Sequence, residues 1–525
     1  MNPQTGRGPA ARADGLTALT LGALQTLAFV QTSWLWPLQL LCLIWLATAA
    51  RGSSTGRAAW IGWLFGLGWG VAGTWWLFIS MHRYGGLAAP LAAAAVGLLS
   101  AALALYMALA LALFARGRRG PPIADAALFA LAWVGAELAR GLLFTGFPWV
   151  ASGYAQVDGP LAAWAPWLGV YGIGGLLAFS AALVAYGASS WWRAMVERGA
   201  AVATRAARIR TALSLLIAAG VWLLSEAIGP IDFTRPTRRL AVTLLQTNVA
   251  QDQKFAVEHL PAALAWVAGA LRSAGGDLVI APETAVPLLP AQLDAFDPGY
   301  WPALRNHFTE AAGKPAALVG VPLGDLEASY SNAVVGLGPS APYRYDKVHL
   351  VPFGEFIPTG FRWFTDLMNI PLGDFTRGRP DAPSFAVAGE RIAPNICYED
   401  LFGEELALRF LREGTAPTML ANVSNIGWFG DTIAVTQHLN ISRMRTLELQ
   451  RPMLRATNTG ATAIVDHTGR VTAQLAPFTR DVLKGSVEGR DGRTPYAVWV
   501  GRLGLWPLLI AAWALLLIFG WRPRR

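Results

Sequence analysis

Thiols are nearly absent from this chain. Cys42 and Cys397 are the two cysteines in 525 residues. Cys42 lies inside an apolar run and Cys397 in a polar region, so no disulfide is expected. Lysine is almost as scarce: among 42 basic residues only Lys254, Lys314, Lys347 and Lys484 are lysines. Arginine used almost everywhere leaves lysine either to chance or to places that need a compact, movable ammonium, and four positions leave both readings open. Charged residues make up only 14% of the chain, too few for an ordinary soluble surface. No His, Cys and Asp cluster has metal-ligand spacing, His438 and His467 stand apart, and no glycine-rich phosphate loop occurs. No metal and no cofactor is expected. Internal repeats are also missing. No small-residue cleavage site follows the first apolar run, which therefore reads as a retained helix rather than a removed signal peptide.

What the chain has in abundance is apolar surface. Hydrophobic residues reach 54% and tryptophan occurs 23 times, a balance that points to several membrane spans. Apolar segments long enough to cross a bilayer fall near 15–33, 35–50, 58–80, 87–115, 122–144, 160–190, 209–228 and 503–521, about eight in all. The formal charge of +9 does not indicate nucleic acid, because the arginines of the first half lie in short loops between spans. Arg51 and Arg57, then Arg116, Arg118 and Arg119, then Arg193 to Arg210, and finally Arg522 to Arg525 occupy alternate loops and the last tail. By the positive-inside rule both termini are expected in the cytoplasm and the long polar region outside, in the periplasm of a bacterium. Three parts follow: a seven-helix transmembrane domain over 1–236, a polar domain over 237–490, and a final helix and tail over 491–525. Within the first part, Glu137 and Arg140 lie one turn apart in a span, and Glu226 near the end of another; ionisable residues in lipid are functional or paired by default.

In the polar region, short Val/Ile/Leu runs alternate with helical patterns, which predicts an α/β layered domain. Strands are expected over 240–245, 278–281, 317–321, 333–337, 392–396, 419–423 and 462–465, and helices over 257–274, 302–312, 402–411 and 436–450. Three strand-to-loop junctions carry chemistry. One strand ends at Glu283, a strand hairpin delivers Lys347, and a third strand ends at Cys397. In an α/β sheet the carboxyl ends of strands share one crevice, so a carboxylate, an ammonium and a thiol can converge from distant segments. Together they suit acyl transfer: Glu283 takes the thiol proton, Cys397 attacks an acyl carbon, and Lys347 holds the oxyanion. At a helix start the thiol would also be favoured as thiolate. Each residue also has a plain structural alternative: a strand-end cysteine is commonly core, a glutamate a cap, a lysine surface.

The segments around these residues resemble a known family. Pro282-Glu283, Asp346-Lys347-Val-His-Leu-Val-Pro-Phe-Gly-Glu355 and Asn395-Ile-Cys397-Tyr-Glu399 are similar to the three catalytic motifs of the nitrilase superfamily. Gly146-Phe-Pro-Trp149, Gln246-Thr-Asn248, Ser424 to Asp431 and Arg443 to Pro452 extend the likeness to its membrane-embedded branch, the apolipoprotein N-acyltransferases. The resemblance implies an α-helical transmembrane bundle with an αββα sandwich, and a triad of Glu283, Lys347 and Cys397 with a second carboxylate, Glu355, beside it. It further implies substrate roles for Trp149, Tyr398 and Glu399. Phe255 stands where relatives tend to have tryptophan. Residues 353–379 are apolar for a loop, and Phe356 and Phe364 within them suggest a lid whose greasy side meets lipid; Asn332–Leu337 and the Trp428, Phe429 pair are candidates to join it. The expected reaction moves a fatty acyl group from a membrane phospholipid, through a Cys397 thioester, to the N-terminal α-amine of a diacylglyceryl-cysteine apolipoprotein. The expected partners are therefore a phospholipid, an apolipoprotein and the membrane, with no nucleic acid and a monomeric chain. A membrane-tethered amidase with the same triad and a non-catalytic lipoprotein-binding scaffold remain as alternatives.

Overall fold

The computed structural model describes residues 9–198, 205–309, 315–325, 329–339, 342–358, 360, 375–412 and 414–521. The described residues divide into two compact units, one within 1–75, 93–231 and 505–525, the other within 76–92 and 232–504.

The first unit is helical, as its long apolar runs require, because a chain in lipid must satisfy its backbone internally. Among the described residues, five helical stretches are long and apolar enough to cross a bilayer: Thr32–Gly52, Ala89–Gly117, Pro122–Thr145, Pro160–Ser189 and Arg208–Ile228. The count rises to seven if each of two bent pairs is one span, and Asp14–Val30 is a shorter apolar helix. The eight segments expected thus become five spans, two bent pairs and one short helix. The expected span 58–80 breaks by 60° between Thr55–Thr74 and Leu77–Tyr84. Trp76 then belongs to the α/β unit, where its indole N–H donates to Gln437 Oε1 at 3.0 Å and its ring meets Phe429. The last expected span, 503–521, follows an 80° bend from the helix Pro495–Leu503, which ends at Gly504 in the left-handed region with φ 65°.

Glu137 and Arg140 are both buried in the helical unit and pair at 3.4 Å. Glu137 also accepts from the Ser152 N–H at 2.6 Å and the Ser152 hydroxyl at 2.9 Å, while Arg140 lies over the Trp69 ring. A buried carboxylate with this many donors is a structural tie between the helix and the following turn. Glu226 is exposed.

The second unit is a sandwich of two six-stranded sheets. The strands are β1 Thr234–Gln246, β2 Leu278–Ile280, β3 Ala316–Asp325, β4 Ser329–Leu337, β5 Tyr343–Asp346, β6 Phe385–Val387, β7 Glu390–Ile396, β8 Met419–Ser424, β9 Met453–Thr457, β10 Ala463–Val465, β11 Val471–Gln474 and β12 Asp481–Gly492. One sheet runs β12-β1-β2-β3-β4-β5 and the other β11-β10-β9-β8-β7-β6. Alternate residues of each strand face the other sheet, so Leu240, Val242, Leu244, Leu278 and Ile280 meet Ile392, Ile396, Met419, Ala421, Val423, Leu454 and Ala456 in the central core. On the outer face of the first sheet, Leu245, Val279, Ala281, Ala317 and Val319 pack against the helices Leu260–Ser273 and Tyr300–Thr309. Helix Ile433–Leu449 packs on the second sheet at β9. The layers are αββα.

Strand direction decides where the site lies. β1, β2 and β3 are parallel, and so are β7, β8 and β9. β4 runs antiparallel to β3 and β5 antiparallel to β4, so β5 points the same way as β2. The ends of β2, β5, β7 and β8 and the start of β4 therefore share one edge of the sandwich.

Candidate active site

Glu283 follows β2, Lys347 follows β5, Cys397 follows β7, Asn425 follows β8, and Asn332 lies near the start of β4. The three residues expected from the sequence are thus delivered by strands that end at one edge, and all three are drawn together. Lys347 is 1% exposed; its Nζ lies 2.8 Å from Glu355 and 3.8 Å from Glu283 Oε1. Asn332 spreads its amide between the two carboxylates, donating to Glu283 Oε1 at 2.6 Å and Glu355 Oε1 at 3.0 Å. The other oxygens are fixed by backbone: Glu283 Oε2 accepts from the Asn425 N–H at 2.7 Å and Glu355 Oε2 from the Val351 N–H at 2.9 Å. Two buried carboxylates beside one ammonium would repel each other if left free, and these donors hold them apart in fixed positions. Gly320 on β3 lets the backbone of Glu283 approach, since a Cβ there would lie 2.3 Å from the Pro282 carbonyl oxygen.

Cys397 adopts a left-handed backbone with φ 52°, unusual for a residue with a side chain and a mark of a constrained turn. The expected helix over 402–411 is instead a 3-10 turn, Cys397–Leu401, then a short helix Gly403–Ala407 and a further 3-10 turn. A turn this short does not make the thiol acidic. Burial, and next the Glu283 carboxylate, push it up to about 12, while Lys347 and the Ser424 hydroxyl pull it down. The thiolate expected from a helix start is therefore replaced by a neutral thiol, whose proton must leave as the sulfur attacks. Burial works against the charge on Lys347, but Glu355 and then Glu283 outweigh it and hold the ammonium above the ordinary lysine range.

The other expected residues are placed as follows. Glu399 is buried, and its two oxygens accept from the Tyr345 hydroxyl, the Val348 N–H at 2.6 Å, the His349 N–H at 3.2 Å and the Ile396 N–H at 2.6 Å. It binds the loop after β5 to the end of β7, and so fixes Lys347 relative to Cys397. Tyr398 is buried with its ring against His349 and Phe402. Phe356 is half-buried beneath the Arg377 guanidinium, 5.0 Å from its ring centre. Phe364 and most of the expected lid lie outside the described residues. Trp149 belongs to the helical unit, where it is buried. Phe255 is exposed and presents an aromatic surface to its surroundings.

Several residues at the site were not read from the sequence. Asn332, expected only as part of a lid, bridges the two carboxylates. Lys254 is buried and donates to the Glu283 carbonyl at 3.1 Å and to the Thr284 hydroxyl. Burial lowers it to about 8, against the opposing pull of Glu283 and Cys397. It pins a turn in which Thr284 is left-handed, with φ 46°. The loop carrying Lys254 is tied in turn to the ends of β8 and β9: Asn458 Oδ1 accepts from the Val249 N–H at 2.8 Å, and Gln251 Oε1 accepts from Asn425 Nδ2 at 2.8 Å. The scarcity of lysine was the available signal, since two of four lysines lie at the site.

Residues 21–183 match the family model for the apolipoprotein N-acyltransferase N-terminal domain, and residues 241–494 that for carbon-nitrogen hydrolases. An apolipoprotein N-acyltransferase from Verminephrobacter eiseniae is 51% identical over 499 residues, covering 90% of this chain and 89% of its own. The chain belongs to the apolipoprotein N-acyltransferase family. Another member, from Ralstonia nicotianae, is 46% identical and covers 97% of this chain and 93% of its own. The solved structure of a carbon-nitrogen hydrolase from Helicobacter pylori G27 covers 52% of this chain and 94% of its own, with 16% identity and a TM-score of 0.33. This apolipoprotein N-acyltransferase family member is thus a multi-pass membrane protein and an N-acyltransferase of the nitrilase superfamily.

Proposed function

We propose that the protein transfers a fatty acyl group from a membrane phospholipid to the N-terminal α-amine of a diacylglyceryl-modified apolipoprotein, with Cys397 as the acyl carrier. The observation that carries this reading is the convergence of Glu283, Lys347 and Cys397 at one sandwich edge, with Lys347 held 2.8 Å from Glu355 and 3.8 Å from Glu283. In the first half-reaction, Cys397 Sγ attacks the ester carbonyl of the phospholipid while Glu283 takes the thiol proton. The Lys347 ammonium stabilises the oxyanion of the tetrahedral intermediate. Its collapse breaks the ester C–O bond, and the proton on Glu283 passes to the departing lysophospholipid oxygen. In the second half-reaction, the neutral amine attacks the thioester carbonyl, Glu283 takes a proton from the nitrogen and returns it to the leaving sulfur. Glu355 keeps Lys347 charged and placed, and Glu399 acts through the backbone it binds. Phe356, Phe364 and the apolar stretch around them, with Tyr398 and Trp149, are assigned to the acyl chains and the lipid-modified peptide.

We assign catalysis to 237–490, between the helical 1–236 and the final helix of 491–525, and place that domain in the periplasm with both termini in the cytoplasm. Loop arginines support this orientation. Arg51 donates to the Gly120 carbonyl at 2.6 Å and pairs with Asp125 at 3.2 Å, Arg118 donates to the Ser53 carbonyl at 2.8 Å, and Arg116 to the Gly520 carbonyl at 2.7 Å. Basic loops from several connections thus gather at one end of the bundle, as the positive-inside rule asks of cytoplasmic loops.

Incubating the membrane-embedded protein with phospholipid labelled in its acyl chain should give a hydroxylamine-sensitive adduct that Cys397→Ala abolishes. An adduct that persists without Cys397 rejects the reading. Release of ammonia from small amides, with no lipid present, supports the amidase alternative instead.

A further inference from the structure

The outer face of β7, β8 and β9 is where a sandwich ordinarily places Val and Leu, yet one rung across it is polar. Asn395 lies opposite Asn422 and Asn422 opposite Arg455 in the strand register, and all three are buried. Burying such a row costs stability unless every group is engaged for a purpose. The helix that covers it, Ile433–Leu449, contributes His438 and Ser442, and the turn after Cys397 contributes Asp400, all three buried as well.

Two contacts of this cluster reach Cys397. Arg455 donates to Asp400 Oδ2 at 3.1 Å, to Ser442 Oγ, and to His438 Nδ1 at 3.1 Å. Ser442 donates to Asp400. His438 Nε2 lies 3.3 Å from the carbonyl oxygen of Cys397, and Asn422 Nδ2 lies 3.3 Å from the same oxygen. A guanidinium can only donate, so the Nδ1 it faces must accept. The proton of the neutral ring is then on Nε2, where it donates to Cys397. We propose that His438 is a positioning residue for acyl transfer: fixed by Arg455 as the Nε2–H tautomer, it holds, together with Asn422, the left-handed Cys397 peptide that aims the thiol at the acyl carbon.

Burial and the nearby Arg455 charge drive His438 well below the ordinary histidine range, so the neutral ring this arrangement needs is the favoured form. Charged groups near it among the described residues include Arg455, Lys347, which also disfavours its protonation, and Asp400, with Oδ2 4.0 Å from Nε2, beyond bonding reach. The restraint acts where it is needed. Cys397 has φ 52°, a conformation uncommon for a side-chain-bearing residue, and hydrogen bonds to its carbonyl oxygen restrain ψ and so help hold the turn that carries its Cα–Cβ bond. A displacement of about 1 Å in a reacting atom costs about a hundredfold in rate, which makes two hydrogen bonds to this one carbonyl an effective lever.

The inference rests on Cys397 being the acyl carrier, and its test separates the two. In the full-length protein, His438→Gln keeps an amide N–H for the Cys397 carbonyl and an oxygen for Arg455, whereas His438→Leu keeps neither. His438→Leu should lower the single-turnover rate of acyl-Cys397 formation by about 10- to 100-fold with an unchanged KM for phospholipid, and His438→Gln should recover most of that loss. Equal losses in the two variants, or a folded His438→Leu protein acylating at the normal rate, overturn the proposal. A second readout is taken on the unmodified protein, uses only the conservative variant for assignment, and needs no acyl chemistry. Imidazole 15N resonances of the unmodified protein, assigned by their absence in His438→Gln, should show Nε2 protonated and Nδ1 bare near neutral pH. A ring protonated on Nδ1 overturns the positioning role whether or not Cys397 carries acyl.

Discussion

An ammonium lodged between two carboxylates has little freedom except to stay charged and in place, and Lys347 is such a group. Its Nζ is held by Glu355 at 2.8 Å, with Glu283 at 3.8 Å, and Asn332 spaces the two acids. Arginine would keep the charge, but its broad planar fork cannot occupy the same point between them. Lys347→Arg is expected to lower the single-turnover acylation rate by about 10²- to 10³-fold, the cost of losing one oxyanion contact; turnover near the normal rate would argue against that contact. The thiol makes a separate prediction. Because burial and Glu283 push Cys397 up to about 12, the resting sulfur is protonated across the physiological range. Its alkylation by iodoacetamide should keep rising from about pH 7 to about pH 10, with no plateau between, since only the thiolate reacts. A plateau close to neutrality would show a preformed thiolate instead.

At the scale of elements, the site depends on strand ends being locked to each other. Glu399 is the lock between β5 and β7, and Tyr345, buried on β5, supplies the hydroxyl that meets both its oxygens at 2.9 and 2.8 Å. Tyr345→Phe removes that donor from a buried carboxylate. It should cost about 1.5–3 kcal/mol of stability and slow acylation while leaving the fold intact, checked by thermal unfolding beside the acylation rate. Much of this element level was legible beforehand. The strands ending at Glu283 and Cys397 showed as short Val/Ile/Leu runs, which the structure places at β2 and β7. β9 was missed because Arg455 interrupts its apolar run, Met-Leu-Arg-Ala-Thr, and the partner that makes a buried arginine tolerable there comes from distant sequence. β12, Asp481–Gly492, was missed because an edge strand that is half solvated carries no steady alternation. The roles of Asn332, Lys254 and His438 were hidden for a related reason: each works through atoms from other segments, and only the register of the sheets brings those atoms together. His438 looked solitary in sequence and lies in a buried network in space.

For the whole molecule, the apolar segments were visible as lengths of sequence, but not their bends. Trp76 and the residues after it read as a continuing span, yet they belong to the α/β unit, where Gln437 and Phe429 meet the Trp76 ring. The orientation proposed here makes its own prediction. A cysteine introduced at the exposed Gly299 in a Cys42→Ala, Cys397→Ala background should react with a membrane-impermeant maleimide in intact spheroplasts; labelling only after the membrane is broken would place the sandwich in the cytosol. The most direct test of the central claim is peptide mass spectrometry of the purified protein after exposure to phospholipid. The account predicts a fatty acyl mass on the peptide carrying Cys397, discharged when a lipid-modified peptide with a free N-terminal cysteine amine is added. An unmodified Cys397, or an acyl group on a different residue that is the one discharged, would contradict it.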